Sequence, residues 1–592
     1  MTARTAAFAA PRLPVPRLAL VWALLSLLML AVGARNLLAG QFPDPDDVLR
    51  MVQLRDLLGG QAWFDTTQYR IDPPGGVPMH WSRLVDVPLA LVVLALQPLL
   101  GHAAAQLVVA AIMPLLTFGC LILLVGWIAA RRFDSEVTGF AALCCGLVPV
   151  TVAQFQVLRI DHHGWQIVTV VAATAAVLRL DSARGARIAG LCLSAGLAIS
   201  LEVLPLAAAF GGLFALRWLV DPAERQGLVQ YLATLAIGSA LFFLATRGPA
   251  ALTPWCDAIA PAHLAFFAVV AIACAALAVR RTLPRWAIVG GLALAGAAGL
   301  GMFAALAPAC LATPFGNLDP LVRDFWYVNV TEGLPVWHQS LGKAATSLVP
   351  VLLALAALVQ LQRRATGEER RWWREYLLIY GATLLTGLLV WRSLAFTGAL
   401  AAVPLGWLLS RSLGLLRDGR SRPRARQALA AAALVSVAVA GVMLLGERTR
   451  ASAAPASDIS AAVRESSCAL RVNAARLERF APTTIFAPLD IGPSLIERSH
   501  HAVVATGHHR AQAAMHDVID GFLGDEASAR ETVTRHGAGL IVVCTDLFEP
   551  ALYTAHAPDG LMAQLLAGAA PAWLEPVDIG GPEPLKVWRV LR

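Results

Sequence analysis

Three stretches of the sequence hold acids and imidazoles at the ends of long apolar runs. The first is "QFPDPDDVLRMVQLRD", residues 41–56, with Asp44, Asp46 and Asp47. The second is "VLRIDHHGWQIV", residues 157–168, with Asp161, His162 and His163. The third is "FWYVNVTEGLPVWHQS", residues 325–340, with Glu332 near its middle. Carboxylate oxygens suit Mg²⁺ or Mn²⁺, and one imidazole moves the preference toward Mn²⁺. In an extended turn the alternation of side chains aims Asp161 and His163 to one side. A metal held there could bind an anionic leaving group, above all a phosphate, and neutralise its developing charge. Each motif also has a plainer reading. "DPDD" is a good helix N-cap with a solvated first turn, "DHH" can be a solvated turn, and Glu332 by itself says little. The argument comes from all three lying on one face of one membrane.

That membrane follows from composition. The chain has 592 residues, 57% of them hydrophobic and 15% charged, with a mean hydropathy of +0.64. A soluble globular protein carries roughly 25% charged residues, so a polytopic membrane protein is the expectation. The net charge of +8 reads as positive cytoplasmic loops rather than nucleic-acid binding, since no basic patch is interleaved with aromatics. At about 20 apolar residues per crossing, spans fall near 18–38, 104–130, 137–157, 164–180, 186–201, 203–220, 227–246, 262–280, 285–308, 345–361, 375–390, 393–417 and 427–446. The first is read as an uncleaved span rather than a signal peptide. Segment 85–101, short and holding Pro88 and Pro98, is expected to lie at the interface.

With the N-terminus cytoplasmic, loops such as "ARRFDSE", "QRRATGEERRWWRE" and "RDGRSRPRAR" fall inside, as the positive-inside rule requires. The acidic and histidine-bearing loops fall outside, on the periplasmic face of a bacterial inner membrane. Residues 1–446 then form a transmembrane catalytic domain with large outer loops at 39–101 and 309–344. Residues 447–592, opened by the linker-like "ERTRASAAPASD", form a small periplasmic α/β domain with strand-like runs "TTIFAPL", "HAVVAT" and "LIVVC". The nine cysteines show no metal-type spacing. Cys256, Cys310, Cys468 and Cys544 lie outside the spans, and a Cys468–Cys544 disulfide and two free thiols remain equal readings.

Taken together these motifs resemble the GT-C membrane glycosyltransferases, and among them the catalytic subunit of the oligosaccharyltransferases. The resemblance covers nearly the whole chain and implies the GT-C fold: about 13 transmembrane helices, a long first outer loop and a C-terminal extracytoplasmic domain. "DPDDVLRMVQLRD" is similar to the family's first acidic motif, and spacing to Arg55 and Asp56 implies Asp46 as its functional acid, with Asp44 and Asp47 as rivals. "DHH" resembles the second acidic motif in its archaeal form, and "NVTEGLP" resembles the outer-loop glutamate motif. Arg392, in "WRSLAFTGAL", resembles an arginine that contacts lipid phosphate. "APLDIG" resembles the family's Trp-Trp-Asp-Tyr-Gly motif, placing Asp490 and Gly492 on its Asp and Gly. Pro488 and Leu489 stand where that motif has its two tryptophans, which puts recognition of an Asn-x-Ser/Thr acceptor in question.

The resemblance and the residue chemistry imply one reaction. A sugar or oligosaccharide leaves a polyprenyl phosphate or diphosphate for a protein, lipid or glycan acceptor, with inversion. Asp46, Asp161, His163 and Glu332 would hold Mn²⁺ or Mg²⁺; Asp46, Asp161 and Glu332 are the expected catalytic acids. Arg392, Asp490, His80, Arg83, His509 and Arg510 are the candidate substrate contacts, with Trp81 and His508 beside them. Two other classes stay open: a lipid or glycan transporter using the same charges, and a non-catalytic envelope scaffold. Transporters place such charges at the midplane, commonly within inverted repeats, and no repeat is evident.

Overall fold

The computed structural model describes residues 13–312, 315–417 and 466–591. The expected span at 427–446 and the linker at 447–458 lie outside the described residues. The chain opens with α1 (Val15–Ala39), 25 residues or about 37 Å of helix, enough to cross a hydrocarbon core. Among the described residues, nine helices are long and apolar enough to cross a membrane, or ten counting one bent pair. The helices α7 (His163–Arg179), α8 (Ser182–Ile199) and α15 (Gly367–Leu389) also fall where spans are expected but are not among the nine. Segment 85–101, expected at the interface, forms α3 (Arg83–Leu100), a helix with the length and apolarity of a span and both prolines inside it.

The expected single span at 137–157 is broken. Its first half, α5 (Ser135–Cys144), is followed by a short helix from Pro149 and a 3₁₀ turn ending at Phe155, bent by 70° from α5. Pro149 has no N–H to continue the ladder and opens the second piece. The bend leaves residues 156–162 as a non-helical connection that delivers Arg159 and Asp161 to the start of α7.

Small residues let the helices approach closely. On α16 (Leu394–Arg417), a Cβ added at Gly406 would lie 2.4 Å from the Ala141 backbone nitrogen of α5. Gly406→Ala is therefore expected to destabilise the protein by about 1–3 kcal/mol through overpacking, read as a lowered melting temperature in detergent. On the opposite side from the acidic loops, Arg217 of α9 (Leu204–Val220) meets Glu375 of α15 through two hydrogen bonds of 3.0 and 2.6 Å.

The C-terminal region is built on a five-stranded sheet. β3 (Thr484–Phe486) pairs in parallel with β4 (Ala502–Val503) and β5 (Ala538–Cys544). β7 (Leu585–Val590) runs antiparallel to β5 and to β6 (Leu574–Pro576). The first outer loop covers the β4 edge: Val503 N donates to Arg70 O at 2.8 Å and Asp72 N to Val503 O at 3.0 Å. An unpaired strand edge is thereby satisfied. Leu49 and Val52 of α2 (Pro45–Leu58), with Ile71, Val77, Met79 and Trp81, share one apolar core with Phe486, Ile541 and Val542. Disulfides join Cys256 to Cys310 and Cys468 to Cys544. The second resolves the open alternative; spacing alone did not suggest the first.

Candidate active site

Asp44 caps α2, its Oδ1 accepting from Asp46 N at 2.9 Å. The cap fixes the first turn, so Asp46 and Asp47 leave it in different directions. Asp47 turns inward and is fully buried; its Oδ1 accepts from Asp161 N at 2.9 Å. Asp161 in turn accepts from His163 N on Oδ1 at 2.7 Å, while its Oδ2 lies 3.4 Å from His163 Nε2. Arg159 bridges the acids: Nη1 reaches Asp44 at 2.6 Å and Asp47 at 3.4 Å, and Nη2 lies 3.5 Å from Asp161.

The connection continues across the helix ends. Gln166 Nε2 lies 2.9 Å from His163 Nδ1 and donates to Glu202 Oε2 at 2.9 Å. Glu202 pairs with Arg392, whose Nη1 donates to Glu332 Oε1 at 2.9 Å. Arg159 and Glu202 were not singled out in the sequence. Arg159 lies inside the second motif, and Glu202 is a lone acid at a junction of apolar helices, a position that marks function by default.

Asp46, half-buried, makes no side-chain hydrogen bond among the described residues. Burial, and then the carboxylates of Asp44, Asp161 and Glu332, push its acidity constant well above the usual range. Its charged neighbours are therefore three acids, Asp44, Asp161 and Glu332, with Arg159 opposing them. For Glu332, burial opposes ionisation, but Arg392, Arg159 and His163 outweigh it and lower its value. Asp161 is lowered likewise, mainly by His163 and Arg159 against the cost of burial.

These residues fit a divalent cation. Asp161 Oδ2 is buried with no hydrogen-bond partner among the described residues. Asp161, His162 and His163 each bring a ligand atom within 4.8 Å of the others. Two imidazoles and a carboxylate form an O/N donor set suited to a divalent metal ion.

The remaining candidates divide. His80 lies beside the site, its ring 6.2 Å from that of His162. His509 and Arg510 instead clasp Asp257: His509 Nε2 at 2.6 Å, and Arg510 through Nε at 2.8 Å and Nη2 at 2.7 Å. Asp257, adjacent to the Cys256–Cys310 disulfide, was not foreseen. Arg83 is fully buried, and its nitrogens donate to Trp63 O, Asp86 and Gln61, which ties them into the outer loop. Asp490 lies elsewhere, in an open cleft that it shares with Phe42, Asp44, Arg471, Ser494 and Glu497. Leu489 and Ile491 beside it point into the C-terminal core.

His80 and His508 share a hydrogen bond of 2.9 Å. Burial, then the neighbouring imidazoles, hold both well below the ordinary value of 6.5. The fold thus favours their neutral forms. Their contribution to stability is complete above pH 6.5 and is lost as pH falls below it. Melting temperature is expected to fall between pH 7 and pH 5, and His508→Asn to remove part of that fall.

No protein-family model matches the sequence, and no curated protein matches it. Solved structures do. The archaeal oligosaccharyltransferase AglB from Archaeoglobus fulgidus, in complex with an inhibitory peptide and a dolichol-phosphate, superposes with a TM-score of 0.63 at 15% identity, over 94% of this chain and 72% of that one. The fold is that of the GT-C membrane glycosyltransferases. The same archaeal enzyme, tethered to an acceptor peptide containing an NVT sequon, gives a TM-score of 0.61 at 15% identity, covering 97% of this chain and 74% of that one. Its complex with Zn and sulfate gives 0.53 at 15% identity, over 96% and 73%. The GT-C fold brings four chain segments that are far apart in sequence to one place at the helix ends.

Proposed function

We propose that the protein is a metal-dependent, inverting glycosyltransferase of the extracytoplasmic membrane face. It moves a sugar or oligosaccharide from a polyprenyl phosphate or diphosphate to an acceptor. One observation carries this reading: Asp46, Asp161 with His163, Glu332 and Arg392 come from four separate segments and converge at the ends of apolar helices. A substrate with its tail in the membrane would have its phosphate at that level.

Asp46, Asp161, His163 and Glu332 would hold the ion. A bound Mn²⁺ or Mg²⁺ would supply neutralisation of the leaving phosphate's charge. Arg392 adds a second positive contact to that phosphate, releasing part of its grip on Glu332. Asp46 orients the acceptor nucleophile for attack and accepts its proton. Arg159 keeps Asp44, Asp47 and Asp161 in register, so the acids can stand close without repelling one another. The Asp490 cleft, bordering the N-cap of α2, is the path by which an acceptor would reach Asp46. The two disulfides suit an oxidising compartment, in agreement with a C-terminal region on the periplasmic side of an inner membrane.

A second reading within the same chemistry is a single-sugar transferase that uses a polyprenyl monophosphate and a lipid or surface-glycan acceptor. The burial of Pro488 and Leu489 favours it, because this segment offers no indole to a peptide sequon. AglB, in contrast, is seen with peptides.

The test is release of polyprenyl product by the purified protein from labelled monophosphate and diphosphate donors, with and without Mn²⁺. Metal-dependent release supports the transferase, and the preferred donor separates the two readings. Absence of both release and Mn²⁺ binding overturns the proposal.

A further inference from the structure

Beside the acids lies a second polar centre that the transfer chemistry does not use. Arg50 of α2 and Trp81 are 0% exposed and His508 is 2% exposed. The Arg50 guanidinium carbon lies 5.1 Å from the Trp81 ring centre. The Trp81 and His508 rings are 5.7 Å apart, edge to face.

Arg50 uses only Nη1, which donates to Asp86 at 2.8 Å and to Ser82 O at 3.4 Å. Its Nε and Nη2 have no hydrogen-bond partner among the described residues, nor do Trp81 Nε1 and His508 Nδ1. Arg50 Nε, Arg50 Nη2 and Trp81 Nε1 can only donate, and a buried donor left unsatisfied is costly, so three in one place call for an acceptor.

Charge points the same way. Arg50 and Arg83 share the single carboxylate of Asp86. Arg510 is matched by Asp257, and Arg247 donates to the carbonyls of Met79 and His80. Four guanidinium groups therefore face two carboxylates, and uncompensated buried charge is costly. The free Nε–Nη2 edge of Arg50 is the edge that takes both oxygens of a planar oxyanion.

Building on the glycosyl-transfer reading, we propose that this centre is a subsite for a carboxylate on the transferred sugar, making the donor a uronic-acid type of glycan. His162 joins the two centres: its ring is 4.2 Å from that of His163 and 6.2 Å from that of His80, and it senses the charge of Arg50. The rings of His162, His80 and His508 thus form one continuous polar path from the acids to Arg50 and Trp81, along which a glycan would lie. A carboxylate suits the site better than a phosphate because it is planar and singly charged, and one guanidinium fork with neutral N–H donors satisfies it.

The test is binding, independent of turnover. Thermal stabilisation of the full-length, Mn²⁺-loaded chain would be titrated with D-glucuronate, D-glucose and inorganic phosphate. Glucuronate is expected to stabilise the protein and glucose not to. Arg50→Lys keeps the cation on Asp86 but loses the fork and should weaken glucuronate about tenfold. Trp81→Phe keeps the ring, removes the N–H and should weaken it about threefold, which tests the site even if Arg50→Lys does not fold. Equal binding of glucose and glucuronate, unchanged binding by both variants, or tighter binding of phosphate than of glucuronate would overturn the proposal. Because no donor lipid is consumed, failure here leaves glycosyl transfer standing. Failure of product release, with glucuronate bound, would instead count against the transfer reaction.

Discussion

Asp161→Asn abolishes metal-dependent release of polyprenyl product, an expected loss of at least about 10³-fold. Asp161 is nearly fully buried and is the acid that touches the largest number of site partners. Its N–H is taken by Asp47, its Oδ1 by the His163 backbone, and its Oδ2 faces both His163 and Arg159. Asparagine retains an oxygen for the His163 backbone N–H and the shape of the side chain, so the local turn survives. It loses the negative charge, and with it an anionic oxygen for the ion. Melting temperature should change little while Mn²⁺ binding and product release disappear together. A variant that keeps both would sink the assignment of Asp161, and Asp46 and Glu332 would then have to account for the ion without it.

The second large effect is structural. Arg159→Met removes the one guanidinium that lies within 4 Å of all three of Asp44, Asp47 and Asp161 among the described residues. Breaking a buried ion pair by deleting one partner costs about 3–5 kcal/mol, because the other charge is left uncompensated. Three carboxylates would remain where one guanidinium had held them, so melting temperature should fall sharply at pH 8. The sign of the pH dependence separates this from simple loss of packing. Carboxylates deprived of their cation gain proton affinity in the folded state, so the variant should recover part of its stability as pH falls toward 5. A deficit of equal size at both pH values would mean that Arg159 acts only by filling space. Arg159→Lys, with charge but no fork, should fall between the two.

Sequence reasoning reached Asp46, Asp161, His163, Glu332 and Arg392 because ionisable groups at the ends of apolar runs are rare enough to draw attention. It missed Arg159 and Glu202, which together connect those residues. A search for metal ligands passes over a cation, although three acids at close quarters demand one. Glu202 stands alone in "SLEVLP", and only the packed helices bring it to Arg392. Hydropathy gave the long helices but not the break at Pro149, since both halves are apolar. The Asp257 clasp and the Cys256–Cys310 pairing join residues whose proximity no local pattern encodes.

The apolar core shared by α2, the first outer loop and the C-terminal sheet has a consequence for the order of assembly. The acids of α2 are made early, but Leu49, Val52 and Trp81 share their core with residues from Cys468 onward, which are made much later. The β4 edge closes onto residues 70–72 at the same late moment. The protein therefore cannot complete its reaction centre while still emerging from the ribosome. The centre is complete only once the C-terminal sheet has docked on α2 and residues 70–81, which separates folding of the helices from completion of the site.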